Sequence, residues 1–498
     1  MRTFAALPFH HTCAMAKTKP TLLPQLLLTD IAAEGQTIAR HEGKIIFVDG
    51  GVPGDLADVL VYKKKRDYAM GRIVRLHEPS EYRVQPFCAH FGTCGGCKWQ
   101  HLRYEQQTSA KQQIVEDAFR RIGKLEHPAF DPIIAANPTQ YYRNKLEFTF
   151  SSRRWFDSPP DSQHKPREDS PNAIGFHVPG MFDRIVNIDH CYLQAEPSNA
   201  IRNAFRHFAL AQGYTFYDVK NHSGLLRNLI IRTTTTGETM VTLCLSGEAT
   251  DALIAQCMDF LLREFGAQIQ SLHYVINPKR NDTIYDLDVV THSGRGYIIE
   301  QLDDLRYKIS PKSFFQTNPH QTVQMYRTVR DMAQLSGSET VYDLYTGTGS
   351  IALFLARQAR HVVGIEEVPD AITDAHWNAQ LNGIDNTTFY AGDVRLLLNE
   401  SLAARHGAPD VLVTDPPRAG MHPDVVQQIS QFAPRRLVYV SCNPATQARD
   451  LQLLSPYYSI ERVQPIDMFP HTFHVENIAL LRARPHFLRP PQAMSINH

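Results

Sequence analysis

A cysteine follows an apolar stretch near the C-terminal end of the chain. Residues Leu437 to Thr446 read Leu-Val-Tyr-Val-Ser-Cys-Asn-Pro-Ala-Thr, a pattern that predicts a buried strand ending abruptly in a polar turn. In an open α/β sheet the carboxyl ends of parallel strands face the ligand crevice, so Cys442 is expected at the mouth of a site. A lone cysteine after a strand is more often a small buried hydrophobic residue. Cys442 alone therefore does not establish a nucleophile.

A second strand of the same kind lies just upstream. The apolar residues 411–414 run into Asp415-Pro-Pro-Arg-Ala-Gly420, which predicts another short strand that ends in a rigid, charged turn. Two nearby strands that end in Asp-Pro-Pro-Arg and Ser-Cys-Asn-Pro place an acid and a thiol at one edge of a sheet. This combination favours an active site over the structural interpretation.

Together the two stretches resemble the signature of the RNA uracil-C5 methyltransferase family, and the resemblance extends from about Leu26 to about Ala483. It implies that Cys442 adds to C6 of a uracil base, which makes C5 nucleophilic, and that S-adenosylmethionine donates the methyl group. The segment Phe473-His-Val-Glu matches the family motif that carries the general base, which implies that role for Glu476. From the residues alone, Glu476 is equally an exposed acid on a final edge strand.

Composition sets broad limits on the function. The chain has 498 residues, of which 43% are hydrophobic and 20% are charged, and the 51 basic residues balance the 51 acidic ones. Net charge therefore gives no indication of nucleic-acid binding, which would need local basic patches. No apolar run is long enough to span a bilayer. We expect a cytoplasmic, monomeric protein without a membrane association.

The N-terminal region predicts a small β-barrel. Short apolar strands alternate with glycine-containing turns between Leu26 and Leu76, as in five-stranded barrels that bind oligonucleotides. The segment also resembles a TRAM domain, an RNA-binding barrel. Its basic run is a candidate RNA contact, although such runs are usually solvated hairpin tips. The run consists of Lys63, Lys64, Lys65 and Arg66.

Three cysteines follow within ten residues. Two glycines separate Cys94 from Cys97, so the backbone can fold to bring the thiolates of Cys88, Cys94 and Cys97 to one metal centre. The spacing fits zinc, with His90 or His101 as the fourth ligand, as well as it fits an iron–sulfur cluster with a remote cysteine. The family resemblance implies a 4Fe–4S cluster whose fourth ligand is Cys191.

A strand is predicted over Tyr141–Phe150, because its side chains alternate in character. It carries Arg143, which on the residues alone is a surface position. The resemblance to the family motif Tyr-Arg-Asn-Lys implies a place near the active site, and we treat Arg143 as a candidate RNA contact.

The C-terminal part predicts a βαβ unit with a glycine-rich first turn. Residues 340–345 lead into Thr346-Gly-Thr-Gly349 and a helix, and a second strand ends in Glu366. This spacing fits a dinucleotide site equally well, but the further acids suit S-adenosylmethionine. The resemblance implies a set of cofactor contacts, with Glu366 on the ribose hydroxyls and Ser350 where relatives often have Asn. The set is Gln316, Tyr345, Ser350, Glu366, Asp393 and Asp415.

These observations predict a multidomain protein. An oligonucleotide-binding-like TRAM β-barrel is followed by an α+β central domain with the iron–sulfur site and by a Rossmann-like α/β class I methyltransferase domain. The predicted boundaries are a disordered or wrongly assigned start over 1–20, the barrel over 21–79, the central domain over 80–101 and 126–306, the methyltransferase domain over 102–125 and 307–485, and a tail over 486–498.

The functional hypothesis is methylation of C5 of a specific uridine in 23S ribosomal RNA through a covalent cysteine adduct. The barrel and the cysteine cluster resemble the bacterial 23S rRNA enzymes more than the bacterial tRNA enzymes. A tRNA uracil-C5 methyltransferase is the alternative. An RNA cytosine-C5 methyltransferase also uses a cysteine nucleophile, but Asp-Pro-Pro-Arg with His-Val-Glu argues against it. From another class, the chain could be a non-catalytic RNA-binding iron–sulfur protein.

Overall fold

A computed structural model describes residues 20–125, 128–156, 170–485 and 487. The predictions for the first 19 residues, for most of the tail and for the centre of the 151–172 loop fall outside these residues. The chain divides into two compact units. The first comprises 1–110, 139–298 and 470–473, and the second comprises 111–138, 299–469 and 474–498.

The first unit begins with a closed five-stranded barrel in the order β1-β2-β3-β5-β4. Its interior is apolar and fully buried, with Leu28, Ala39, Val48 and Val59 at the centre. Closure removes the free strand edges that an isolated small sheet would expose. The strands are β1 Thr21–Ile31, β2 Thr37–His41, β3 Lys44–Asp49, β4 Leu56–Lys64 and β5 Tyr68–Glu78.

A helix follows the cysteine-rich segment. Helix α1 spans Tyr104–Asp117 and continues as a π-helical turn over Ala118–Ile122. Gly123 ends it, as the sequence predicts. In the second unit, Val115 and Phe119 of this helical stretch are fully buried in the main apolar core.

The remainder of the first unit is built on a seven-stranded sheet in the order β12-β11-β10-β9-β6-β7-β8. The predicted strand over Tyr141–Phe150 begins only at Lys145. The backbone N–H groups of Tyr141 and Arg143 instead donate to the backbone carbonyls of Tyr192 and Leu193. These two residues therefore precede the part of the chain that pairs with the sheet as β6. The elements are β6 Lys145–Ser151, β7 Ala173–His177, β8 Ile185–Asn187, α2 Ser198–Ala211, β9 Leu226–Thr233, β10 Thr239–Leu245, α3 Asp251–Phe265, β11 Ile269–Ile276 and β12 Val289–Gly294.

The second unit contains a seven-stranded sheet in the order β17-β16-β15-β18-β19-β21-β20. The five strands β15, β16, β17, β18 and β19 run parallel to one another. Strand β21 is antiparallel to both β19 and β20. The elements are the hairpin β13 Ile298–Leu302 and β14 Leu305–Ile309, then α4 Pro319–Ala333, β15 Thr340–Leu344, α5 Ser350–Ala356, β16 His361–Glu366, α6 Pro369–Leu381, β17 Thr387–Ala391, α7 Val394–Leu397, α8 Glu400–His406, β18 Val411–Thr414, α9 Pro423–Phe432, β19 Arg436–Ser441, α10 Pro444–Leu454, β20 Tyr458–Ile466 and β21 Glu476–Ala483.

The sheet order corrects one interpretation of the C-terminal strand. β21 lies between β19 and β20, so it is an internal strand and not the final edge strand. Glu476, its first residue, is only 4% exposed. Among the described helices, none is long and apolar enough to cross a membrane.

Candidate active site

The carboxyl ends of the parallel strands carry most of the predicted site residues of the second unit. Tyr345, Asp415 and Cys442 each follow the last residue of a strand, and Glu366 is the last residue of β16. Because parallel strands end at one edge of the sheet, these side chains share that edge. Asp393 follows β17 by one further residue.

Strand pairing brings Glu476 to the same edge. Ser441 at the end of β19 pairs with Asn477 at the start of β21. Cys442 directly follows Ser441, and Glu476 directly precedes Asn477. The two site residues therefore lie next to the same pair of strand residues. The two groups interact electrostatically in the folded protein, although 34 residues separate them in the sequence.

Hydrogen bonds join the two halves of the sequence signature. The side chains of Asn443 and Thr446 both donate to the backbone carbonyl of Arg418, over 3.1 and 3.2 Å. Asn443 also caps helix α10, because its side-chain oxygen accepts the backbone N–H of Ala445. The Asp-Pro-Pro-Arg turn is thus fixed against the turn that carries Cys442 by the polar side chains of Asn443 and Thr446.

Buried acidic groups surround the Cys442 thiol. Burial, with the nearby Glu476 and Asp415 carboxyls, raises the pKa of Cys442 to about 11, while the charge and hydrogen bond of Arg418 lower it. Burial and the nearby Asp415 also raise the pKa of Glu476 well above its usual value, and Arg418 opposes this shift. Arg418 is therefore the positive group that favours the ionised forms of both the thiol and the carboxyl.

Asp415 and one further acid, Asp343, extend this cluster. Burial raises the pKa of Asp415 to about 7, and the neighbouring Asp343 adds to the shift. Asp343, at 1% exposure, has its own pKa raised to about 7, again mainly by burial and with a contribution from Glu366. Thr346 donates a 2.5 Å hydrogen bond to Asp343, which opposes part of that increase.

The glycine-rich turn after β15 has an unusual backbone conformation. Tyr345 has a φ of +64°, and Gly349 has a φ of +78°. A Cβ on Gly349 would lie 3.0 Å from the Cβ of Ala375, so a side chain would fit poorly there. The backbone N–H of Gly347 donates to the Glu366 carboxylate over 3.0 Å, which holds the turn against the acid at the end of β16.

The remaining predicted cofactor positions lie in the same unit. Ser350 is the first residue of α5, and its hydroxyl is 2.7 Å from the hydroxyl of Tyr326 on α4. Asp393 caps α7 by accepting the N–H of Arg395 and forms an ion pair with the Arg395 side chain. Gln316 lies three residues before helix α4.

The four predicted metal ligands lie together in the first unit. Cys88, Cys94, Cys97 and Cys191 line one small cavity. Burial raises the pKa of each of the four thiols, to about 12 for Cys97. The described residues include no group of three or more His, Cys, Asp or Glu side chains arranged to hold a metal ion.

The two histidines that were alternative zinc ligands have other partners. His90 lines the same cavity, but its Nε2 accepts the backbone N–H of Asp189 over 3.1 Å. The Nε2 of His101 is 3.0 Å from the carbonyl of Gly51, and burial lowers the pKa of His101 to about 4. The four thiols are therefore the better donor set in this segment.

The candidate RNA contacts of the first unit have different surroundings. Lys63, Lys64, Lys65 and Arg66 are all exposed at the turn between β4 and β5. Arg143 is half-buried and interacts electrostatically with Cys97 and Cys191. The structure thus places Arg143 beside the cysteine site.

Comparisons with known proteins decide the family. A family model described as tRNA (uracil-5-)-methyltransferase matches residues 225–484, and a TRAM domain model matches residues 25–74. A protein of Bacteroides thetaiotaomicron named as an uncharacterized RNA methyltransferase is 51% identical over 456 residues, covering 91% of this chain and 100% of the relative. The chain belongs to the RNA uracil-C5 methyltransferase family.

Further similarities support this assignment. An RNA methyltransferase of Porphyromonas gingivalis, also named as uncharacterized, is 51% identical over 464 residues, covering 91% of this chain and 98% of the relative. The solved structure of the Pyrococcus abyssi tRNA (uracil-54, C5)-methyltransferase in complex with S-adenosyl-L-homocysteine is 26% identical and has a TM-score of 0.72, covering 92% of this chain and 99% of the other. This chain is thus an S-adenosylmethionine-dependent RNA (uracil-5-)-methyltransferase, and its predicted TRAM barrel and C-terminal methyltransferase fold are confirmed.

Sequence reasoning missed two groups of this methyltransferase site. Arg418 lies in the Asp-Pro-Pro-Arg motif, but its contact with the Cys442 thiol depends on how the turn after β18 meets the turn after β19. Asp343, inside the first strand of the βαβ unit, was not among the predicted site residues, although it is the most deeply buried acid of the cluster. An acid inside an otherwise apolar strand such as Thr340–Leu344 was the available signal, because charged residues are rarely fully buried without a function or a partner.

Proposed function

We propose that this enzyme methylates C5 of a uridine in 23S ribosomal RNA through a covalent adduct between Cys442 and C6 of the base. The observation that carries the proposal is the pairing of β19 with β21, which places the thiol next to Glu476 and beside Asp415 and Arg418. A nucleophile, a carboxyl base and a cation at one sheet edge are the groups that addition, alkylation and elimination require.

The first step needs the thiolate form of Cys442. Arg418 favours that form against the effect of burial and of the two neighbouring carboxyls. The thiolate attacks C6 of the uracil, and the electrons of the C5–C6 double bond move onto the C4 carbonyl as an enolate. When bound, S-adenosylmethionine would supply the methyl group. The enolate re-forms the C4 carbonyl, its C5 carbon takes the methyl, and the methyl–sulfur bond breaks so that S-adenosylhomocysteine leaves.

The second step needs a base at C5. The Glu476 carboxylate removes the C5 proton, the electrons of that C–H bond restore the C5–C6 double bond, and the C6–S bond breaks to release the Cys442 thiolate. Burial disfavours the ionised carboxyl, whereas Arg418 favours it. Once ionised, a carboxylate with a raised pKa is a stronger base than an exposed one.

The proposed cofactor contacts follow the sheet edge. Glu366 receives the ribose hydroxyls, and Gln316, Tyr345, Ser350, Asp393 and Asp415 complete the set. Tyr345, Glu366, Asp393 and Asp415 lie at the carboxyl ends of the parallel strands, which is where ligands of open α/β sheets bind. The roles of Gln316 and Ser350 rest on the family resemblance.

We also propose that Cys88, Cys94, Cys97 and Cys191 hold a 4Fe–4S cluster. Four thiols around one cavity are unfavourable as thiolates unless a metal compensates their charge. Polar groups already face the sulfurs. The backbone N–H of Gly96 donates to Cys94 over 3.4 Å, Gln100 hydrogen-bonds to Cys97, and backbone groups bond to Cys88 and Cys191. Zinc is the alternative. Iron and labile sulfide in protein purified without oxygen support the cluster, and bound zinc without sulfide contradicts it.

Two classes of RNA are candidate substrates, ribosomal RNA and tRNA. The TRAM barrel together with the cysteine site favours ribosomal RNA, and the likeness to the archaeal tRNA methyltransferase over 92% of this chain makes tRNA the second candidate. Mass spectrometry of 23S rRNA and tRNA from a deletion strain tests this choice. Loss of 5-methyluridine from 23S rRNA alone supports the proposal, and loss from tRNA alone contradicts it.

Two variants test the covalent mechanism. Cys442→Ala should abolish methylation while cofactor binding remains, because the thiol acts only in bond making. Glu476→Gln should stall as a methylated RNA–protein adduct that survives a denaturing gel, and its turnover should fall about a hundred- to ten-thousand-fold. Methylation by Cys442→Ala at the wild-type rate would contradict the covalent mechanism.

A further inference from the structure

The loop between β20 and β21, residues Asp467–Val475, leads directly to Glu476. Its start is held within the second unit. The Lys111 ammonium donates to the Asp467 carboxylate over 2.5 Å, and both side chains are fully buried. The Asn318 side chain donates to the carbonyl of Met468 over 3.0 Å.

The middle of this loop, Pro470–Phe473, belongs to the first unit. The carbonyl of His471 accepts the backbone N–H groups of Lys98 and Trp99, over 2.9 and 3.0 Å. These two residues directly follow Cys97 in the sequence. The loop that leads to the proposed base is thus hydrogen-bonded to the cysteine-rich segment.

One buried side chain completes this connection. Gln107, on α1, is 1% exposed. Its Oε1 accepts the backbone N–H of His471 over 2.9 Å, and its Nε2 donates to the carbonyls of Trp99 and Leu102, over 2.9 and 2.8 Å. Both ends of the amide are used, one on the loop before Glu476 and the other on the cysteine-rich segment.

The backbone at His471 needs such support. Its φ is +65°, in the left-handed region that residues other than glycine adopt at a cost. Two backbone hydrogen bonds and the Gln107 side chain hold this conformation, and Glu476 is the fifth residue further on. Because only four residues lie between them, a change in the backbone conformation of His471 should shift the position of Glu476.

We propose that Gln107 is a positioning residue for the proton-abstraction step, because its hydrogen bonds fix the loop conformation that places Glu476. The proposal rests on the proposed role of Glu476 as the base. The proposal predicts different effects on methyl transfer and on the release of Cys442 by elimination. Loosening the loop leaves Cys442 and the methyl-transfer step in place, whereas a displacement of the base by about 1 Å slows elimination by up to a hundredfold.

The test compares Gln107→Met with wild type and with a matched control. Methionine keeps the length of the side chain but forms none of the amide hydrogen bonds. Gln113→Met is the control, because Gln113 is an exposed glutamine on the same helix. Single-turnover experiments with radiolabelled methyl donor measure the rate of adduct formation and the rate of adduct release separately. Hydrogen–deuterium exchange follows the peptide that contains residues 470–476.

We expect Gln107→Met to form the methylated adduct within about threefold of the wild-type rate and to release it ten- to a hundredfold more slowly, with faster exchange over residues 470–476. Equal losses in both rates, or release at the wild-type rate, would overturn the proposal. Gln107→Leu also removes the amide and provides a second variant if Gln107→Met does not fold. It should likewise form the adduct at close to the wild-type rate and release it more slowly, and release at the wild-type rate would overturn the proposal.

Glu476→Gln separates this inference from the proposed function. If Glu476→Gln traps no adduct, the assignment of the base fails. If Glu476→Gln traps the adduct and Gln107→Met releases it normally, only the positioning role of Gln107 fails.

Discussion

Replacing Arg418 by methionine should make the Cys442 thiol less reactive. Arg418 is the positive group beside the thiol, and both its charge and its hydrogen bond lower the pKa of Cys442. Its backbone carbonyl is held by Asn443 and Thr446, so the turn should keep its position when the side chain changes. Without the guanidinium, the pKa of Cys442 should rise above its present value of about 11.

The size of the effect follows from the contact. A hydrogen bond to a charged group contributes about 1.5–3 kcal/mol, which corresponds to about one to two pKa units. Arg418 is exposed, and water therefore screens its charge. We expect the lower end of this range, which means about tenfold less thiolate at any pH well below 11.

Alkylation by iodoacetamide measures the thiolate directly. Peptide mass spectrometry follows the peptide that contains Cys442 at several pH values between 7 and 10, in protein without RNA. Arg418→Lys keeps a positive charge and should lose less reactivity than Arg418→Met. Arg405→Met removes an exposed arginine from α8 and is the control for a general change in charge.

The expected result is an alkylation rate about tenfold lower in Arg418→Met, a smaller decrease in Arg418→Lys and no change in Arg405→Met. Methylation turnover should decrease in the same order, because the thiolate is the proposed nucleophile. If Cys442 is alkylated in Arg418→Met as fast as in wild type, the guanidinium does not stabilise the thiolate, and our account of the site is wrong.

Three further outcomes can be measured. Because burial raises the pKa of Asp415 from 3.8 to about 7, its contribution to stability is present below pH 4 and is lost as the pH rises to 7. Asp415→Asn should therefore be more stable than wild type at pH 8, by up to about 4 kcal/mol in urea unfolding, and equal to it at pH 4, unlike the exposed Asp424→Asn. Lys111→Met should destabilise the protein by about 3–5 kcal/mol because it removes the cation that compensates the buried Asp467 carboxylate, and adding Asp467→Leu should restore most of that loss in the same unfolding experiment. Changing Lys63, Lys64, Lys65 and Arg66 together to glutamine should weaken RNA binding and reduce the slope of log K against log salt by up to about 3, and an unchanged slope would exclude the basic run as an RNA contact.

The sequence alone determined the local features of this protein. Apolar runs that end in Tyr345, Glu366, Asp415 and Cys442 predict strands and the polar turns after them, because burial and turn formation depend on a few consecutive residues. Glycine-separated short strands likewise predicted the barrel. The two-part signature resembled the uracil-C5 methyltransferase family, and the comparisons confirm that assignment.

Only the tertiary structure decided which distant residues meet. The position of β21 between β19 and β20 makes Glu476 a buried neighbour of Cys442, whereas the sequence left an exposed edge strand open. The contact of Arg418 with the thiol and the place of Cys191 in one cavity with the other three cysteines likewise depend on non-local packing. The physical reason is that the residues of a strand define its two faces but not its neighbours, and the pKa of a group depends on those neighbours and on burial.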